Sequence, residues 1–339
     1  VIAVIGGATA FVESTLAQIY KKRGKDGCYG GPAYYIEAAF KGKKGVAILF
    51  TVFLILTYGI GFNMLASYNL QSTFSTYSFY NANITPWIIG FVIAALVCYC
   101  LMGGGKRIVS VTGVLVPIMG ALYILVALVL VIINAKMLPD VFRQIFVGAF
   151  DFRAIFGGFG GSCVMYGIKR GLFSNEAGVG SAPNAAASAD IDHPVKQGLV
   201  QTLSVFIDTI VVCSATAFMC MTSGVTPPTT SAEAASYVQA SLSVTLGGVG
   251  PIFITVAMVL FAFTTLLGNL FYVDKAINYL LGKEPTKLVR NICYVVASLI
   301  IFVGAGLSAD MLWNIADVLM GGMTIINIPV ILYLGKYAY

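Results

Sequence analysis

Apolar residues fill this chain in long unbroken runs, with polar residues gathered at the joints between them. A run of about 20 mostly apolar residues is the length that crosses a bilayer as a helix. Runs of that kind, closed by charged or glycine- and proline-rich breaks, predict nine spans: 1–20, 46–72, 84–102, 109–134, 146–188, 198–222, 250–282, 289–307 and 311–335. The fifth is unlike the rest. Its centre, 157–187, reads GGFGGSCVMYGIKRGLFSNEAGVGSAPNAAA. Glycine weakens a helix because it gives up the most backbone freedom on folding. Irregular backbone persists at membrane depth only where it is buried in protein or lines a wet cavity. The stretch therefore predicts a discontinuous helix near 157–171 whose free carbonyls and amides hold a small polar ligand or an ion. The plainer alternative is that its glycines serve close helix packing.

Basic residues orient the spans. They gather in 21–45, at Lys106 and Arg107, at Lys196, and at Lys283, Lys287 and Arg290, with Lys336 closing the chain. Segments 73–83, 223–249 and 308–310 carry none, and 135–153 is mixed. By the positive-inside rule the first loop and the C-terminus are cytoplasmic. With orientation set, an internal symmetry emerges. Span 1–20 leads to a long loop with a short helical stretch, 33–40, then to a long span and two more. Span 198–222 does the same through 231–242, upside down. Inverted repeats are the usual plan of secondary transporters. The expected division is a first repeat at 1–134 lacking its opening helix, a second at 135–307 and a final span at 308–339. The chain starts in mid-span at Val1, so the reading expects that opening helix upstream.

Composition agrees: 339 residues, 58% hydrophobic and 10% charged, with mean hydropathy +0.90, describe a polytopic membrane protein. The net charge of +6 belongs to the loops and does not point to nucleic acid. The seven cysteines lack metal-ligand spacing and read as small core residues. Nothing resembles an enzyme: the lone His193 sits in a loop, and Gly103–Gly105 before Lys106 lacks the spacing of a phosphate loop.

A few polar groups fall at membrane depth, where they are costly and mark functional candidates. Asp208 lies mid-span and serves either function or a structural hydrogen bond. Asp317 is similar, and Glu13 is expected to pair with a nearby Arg or Lys. Thr264 and Thr265 offer hydroxyl oxygens of the kind a hard cation takes; the alternative is a bond to the carbonyl one turn back. Tyr58, Gly59, Gly61 and Asn63 cluster in the corresponding span of the first repeat, with the aromatic, small and amide groups that suit a small zwitterion, or simply helix packing.

The run from Tyr166 to Pro183, YGIKRGLFSNEAGVGSAP, closely resembles the signature of the alanine or glycine:cation symporter family, the sodium:alanine symporters. So do GGPAYYIE at 30–37, FIDTIVVCS at 206–214 and WNIAD at 313–317, in order along essentially the whole chain. The resemblance implies an all-α, leucine-transporter-like five-plus-five inverted-repeat fold in a prokaryotic inner membrane. It implies sodium-coupled uptake of small neutral amino acids, alanine or glycine, with sodium as coupling ion and no other cofactor. Two departures stand out. The family's first core helix, with its GTGN-type break, would lie before Val1. Leu65-Ala66-Ser67-Tyr68 stands where members often carry Val-Gln-x-Asn, and Asn269 where many carry Trp.

By position, the resemblance implies that Met165, Tyr166 and Gly167 line the substrate cavity, faced by Tyr58 and Asn269. The backbone of Gly160, Gly161 and Ser162 would take the polar end of the amino acid, and Thr264 and Thr265 the sodium. Lys169, Arg170, Glu176, Asp208 and Asp317 would serve gating or the fold, with Lys169, Arg170 and Glu176 placed at a cytoplasmic gate. The rival readings are proton coupling through Asp208, or a truncated membrane protein that does not transport. The sequence leaves the amino acid and the oligomeric state open.

Overall fold

Inside a bilayer every backbone amide must find its partner within the protein, and a helix does this locally. A computed structural model describes residues 2–24, 27–149 and 159–338. The apolar runs become helices as expected. The first, α1 (Ile2–Ile19), leads through a two-stranded hairpin, Lys22–Gly24 with Gly27–Tyr29, to the short α2 (Pro32–Ala39). The second long span is α3 (Gly45–Leu56) and α4 (Phe62–Ser72), joined by a π-helical turn at Thr57–Gly61. Then come α5 (Thr85–Met102), α6 (Gly104–Ile133), α7 (Leu138–Ala149), α8 (Phe159–Asn175) and the short α9 (Ala182–Ala186). Next, α10 (Pro194–Val205) and α11 (Cys213–Met221) form one span around a second π-helical turn, Phe206–Val212. The last elements are α12 (Ala234–Leu246), α13 (Val249–Leu281), α14 (Lys287–Gly304) and α15 (Ala309–Leu334).

Among the described residues, eight helical segments are long and apolar enough to cross a membrane. Each answers to one of the expected spans. Their outer faces are apolar, as on α6, where Ile118, Leu125 and Ile132 are each at least 60% exposed. A soluble protein could not carry that much contiguous oily surface.

The remaining expected span, the fifth (146–188), behaves differently. Residues 150–158, and with them Gly157 and Gly158, lie outside the described residues. From Phe159 to Asn175 the backbone is one continuous helix, so the interruption expected near 157–171 falls instead at 176–181. Glycine costs a helix about 1 kcal/mol, but in apolar surroundings a helix still satisfies the backbone better than any open form. A break needs residues in the left-handed region and side chains to replace the lost hydrogen bonds. Residues 176–181 have both. Glu176, Gly178 and Gly180 all have positive φ, and Asn175 Oδ1 accepts from the amide of Ala177 at 3.1 Å.

Elements of the first half pack on elements of the second: α1 on α10, α3 and α4 on α13, α5 on α14. One core joins α2, α3, α4 and α15 around Tyr35, Phe50, Tyr58, Leu312 and Met323. A second joins α5, α13 and α14 around Val97, Leu101, Leu266 and Ile301. Of the cysteines described, only Cys100 and Cys220 are buried, so the expectation that most are core residues is too broad.

The α4–α14 contact is close enough to demand glycine. A Cβ on Gly304 would fall 2.8 Å from the carbonyl oxygen of Met64 and closer still to its Cα. Backbone there cannot yield cheaply, and overpacking of this kind costs about 1–3 kcal/mol. Gly304→Ala is therefore expected to lower the unfolding temperature of the detergent-solubilised protein. Gly268→Ala, where a Cβ would meet nothing within 4 Å, should be neutral or stabilising by up to about 1 kcal/mol. Equal melting of both variants would contradict the packing argument.

Candidate functional site

Among the described residues a large polar hollow lies between α8 and α15, where Tyr166, Lys169 and Arg170 share one helix face and Trp313, Asn314 and Asp317 the other. Its volume is about 870 Å³, within the range of small-molecule sites. Asn69 at the end of α4 and the segment 228–231 close its mouth. The Arg170 guanidinium donates to Asp317 Oδ2 at 3.1 Å and lies 4.0 Å over the Trp313 ring; Lys169 Nζ stands 3.7 Å from the same carboxylate oxygen. The remaining groups of this pair, Arg170 Nη1 and Asp317 Oδ1, are buried without a hydrogen-bond partner among the described residues.

Ten residues farther along α15, about 15 Å at 1.5 Å per residue, a second polar cluster closes on the 176–181 break. Glu13 of α1 is fully buried and accepts from the Gly178 amide at 3.0 Å. It also accepts from Asn327 Nδ2, which donates in addition to the Gly178 carbonyl at 3.0 Å. Asn327 Oδ1 in turn accepts from the Tyr35 hydroxyl at 2.7 Å. Glu13 is thus held by amides and not by the Arg or Lys expected from the sequence; Lys21, the nearest cation along the chain, donates to Gln18 and to the Ala189 carbonyl. The Ser181 hydroxyl donates to Glu176 at 2.5 Å. The Tyr58 hydroxyl faces Glu176 and Ser181 without closing a hydrogen bond of good geometry.

The expected site residues are not gathered in one place. Tyr166 lines the large hollow. Met165 and Gly167 are exposed on other faces of α8. Gly160, Gly161 and Ser162 lie in its first turn, within regular helix. Tyr58 is wholly buried on the π-helical turn, packed edge-on against Phe62 and Tyr272. Asn269 is buried too, donating to Asn63 Oδ1 at 3.0 Å, an amide pair linking the two long spans equated by the inverted plan. Thr264 donates within its own helix, to the carbonyls of Leu260 and Phe261 at 3.0 Å, while Thr265 is exposed. Adjacent residues on a helix point about 100° apart, so the two hydroxyls do not converge. Asp208 accepts from the Ser174 hydroxyl and lies beside Thr209, tying the second π-helical turn to α8. Lys169 and Arg170 stand at the hollow with Asp317, and Glu176 stands in the 176–181 break with Ser181.

Among the described residues there is no group of three or more His, Cys, Asp or Glu side chains able to hold a metal ion. The model of the sodium:alanine symporter family matches residues 1–339. The chain belongs to the sodium:alanine symporter family. Its relatives are transporters and not enzymes. Amino-acid carrier protein AlsT of Bacillus subtilis is 39% identical over 339 residues, covering 100% of this chain and 70% of that protein. Probable sodium/glutamine symporter GlnT of the same organism is 39% identical over 340 residues, covering 100% of the chain and 69% of GlnT. Sodium/alanine symporter AgcS of Methanococcus maripaludis is 38% identical over 335 residues, covering 97% of the chain and 72% of AgcS. This member of the family is a multi-pass membrane protein of the amino-acid and cation symport class.

Reasoning from sequence missed Asn327 and Tyr35, the partners that complete the buried cluster. An asparagine ten residues beyond Asp317 in an apolar run was a signal that could have been used. Asn327→Ala strips one donor from Glu13 and orphans the Tyr35 hydroxyl, an expected loss of about 1–3 kcal/mol. Tyr35→Phe removes a single hydroxyl and should cost about 1 kcal/mol. Denaturant unfolding in detergent checks the ranking; a Tyr35→Phe loss as large as that of Asn327→Ala would contradict it.

Proposed function

We propose that the protein is a secondary active transporter that carries a small neutral amino acid, alanine or glycine, into the cell together with sodium. The observation that carries this is the polar hollow of about 870 Å³ between α8 and α15, with the clamped 176–181 break farther along α15. Access from one side at a time is what a symporter needs. Packing of α1 on α10, of α3 and α4 on α13, and of α5 on α14 supports a five-plus-five inverted repeat of the leucine-transporter kind. The segments bordering the mouth, 223–249 and 308–310, lack Lys and Arg. The hollow therefore faces outward from an inner membrane, with the C-terminus cytoplasmic.

Sodium is cargo in this scheme, and its binding favours whichever state holds it more tightly. Thr264 is the cation-side candidate, since its hydroxyl and two carbonyl oxygens are grouped inside the protein. A second reading, proton coupling, is favoured by the contact of Asp208 with Ser174 of α8. An Asp208→Asn variant that keeps exchange but loses pH dependence would support that alternative.

Uptake of labelled glycine, L-alanine and D-alanine into proteoliposomes is expected to need an inward sodium gradient. Thr264→Ala should raise the sodium concentration for half-maximal uptake by about tenfold, the loss of roughly 1.4 kcal/mol, and Thr265→Ala should leave it unchanged. Sodium-independent uptake removes the coupling proposal; an unshifted Thr264→Ala removes the residue assignment alone.

A further inference from the structure

A second recess, of about 260 Å³, lies between the π-helical turn at Thr57–Gly61, the second half of α13 and α14. Its charged lining is confined to Asp274 and Arg290. On α14 the lining runs Arg290, Cys293, Ala297 and Ile300, a stripe at three- and four-residue spacing about 15 Å long by helix rise. Ile292 and Val296 border the same recess and are half-exposed. They continue into the outward stripe of α14, with Leu299 and Val303. Because α14 is one of the segments able to cross a membrane, that stripe meets acyl chains, and the recess opens sideways among them. Where the π-helical turn borders it, Gly59 brings no side chain to fill the space. An apolar recess of this kind holds water poorly and takes apolar guests.

One end of the recess is basic. Arg290, the first lining residue on α14, stands one turn beyond the exposed Lys287 on the same helix face. Lys283 is exposed in the turn before them. Among the described residues neither lysine forms an ion pair. Arg290 Nε lies 3.3 Å from Asp274 Oδ1, and its side chain stays partly exposed. Lys283, Lys287 and Arg290 outnumber Asp274 and Glu284. The first turn of α14 holds no acidic residue and adds the positive end of a helix dipole. Basic residues where a span leaves the apolar layer attract anionic headgroups.

We propose that this recess binds an anionic phospholipid, with one acyl chain along α14 from Cys293 to Ile300 and the phosphate on Lys287 and Arg290. The two halves of the ligand answer to the two halves of the site. A soluble anion would find the cations and leave the apolar slot empty. A zwitterionic phospholipid would enter the slot but bring an ammonium group beside the lysines. Only a lipid with net negative charge satisfies both. The site shares no lining residue with the hollow between α8 and α15 and does not depend on what is transported.

The test uses the full-length protein, delipidated in detergent and titrated with dioleoyl phosphatidylglycerol, dioleoyl phosphatidylcholine or glycerol 3-phosphate, with bound copies counted by native mass spectrometry. Phosphatidylglycerol is expected to saturate a first site about tenfold more tightly than phosphatidylcholine, and glycerol 3-phosphate to leave that site empty. Lys287→Gln changes an exposed residue and leaves the Asp274–Arg290 pair in place. It should cut the preference for phosphatidylglycerol by about fivefold. The wild-type protein supplies a readout that needs no variant to fold. Phosphatidylglycerol with a diazirine in its acyl chain should label the peptide holding Cys293–Ile300, and unlabelled phosphatidylglycerol should compete at about a tenth of the concentration phosphatidylcholine needs. Equal affinity for the two lipids, with no saturating first copy, is the mark of boundary lipid and overturns the site. Label that maps away from α14 overturns it too, as does a preference unmoved by Lys287→Gln. Tight binding of glycerol 3-phosphate alone would replace the lipid by a soluble anion.

Discussion

Glu13 is a carboxylic side chain with 1% of its surface exposed, set in a bundle whose interior is mostly apolar. Taking an ionised group out of water costs several kcal/mol unless well-placed partners offset it. Those partners are the Gly178 amide and the Asn327 side chain, and each belongs to a different part of the chain. Satisfying this one group therefore positions α1, the break after α8 and the middle of α15 together. Gly178 has φ of 86°, and a Cβ there would fall 2.7 Å from Ile328. The break can approach α15 closely only because that residue is glycine. Tyr35 brings in α2 through Asn327. Remove the carboxylate, and the amides it holds face each other across an apolar core.

The hollow obeys the same electrostatic rule with the opposite outcome. Around Glu13 every oxygen has a donor. Around Asp317 one oxygen has two cations and the other has none. Low dielectric makes a satisfied network rigid and an unpaired buried group costly. The two π-helical turns fall on the spans that border these regions, Thr57–Gly61 beside Tyr58 and Phe206–Val212 beside Asp208. Turns of this kind widen a helix and recur at functional sites.

Long apolar runs made the spans readable from sequence, since burial of backbone in lipid leaves little choice of form. Eight segments land where hydropathy puts them. The break was misplaced because glycine content was weighed above handedness. Gly160, Gly161 and Gly167 sit in ordinary helix, whereas Glu176, which is not glycine, takes a positive φ. Its cause is tertiary, the pull of Ser181 and the neighbouring clamp, and no local pattern announces it. Thr264 and Thr265 show the same limit: adjacency in sequence is divergence on a helix. Glu13 stands out in the sequence as a lone carboxyl group that suggests a charged partner, whereas amides from residues 178 and 327 satisfy it. Arg170 and Asp317 each stood out alone; that they meet depends on how α8 lies against α15.

Both polar regions involve α8, or the break that follows it, on one side and α15 on the other. The Arg170–Asp317 pair and the clamp at Gly178 and Asn327 thus tie the same pair of elements at two points, about 15 Å apart by helix rise. Because Phe159–Asn175 is one continuous helix, a change in its angle at the hollow cannot be absorbed within it. Residue 176 is the first that leaves the helix at its described C-terminal end. There the chain is irregular, and its hydrogen bonds to Glu13 and Asn327 can be exchanged without melting a helix. A ligand that preferred one orientation of α8 would drive such a rotation between discrete packed states. The ligand biases that rotation by as much as it prefers one state over the other, and no further.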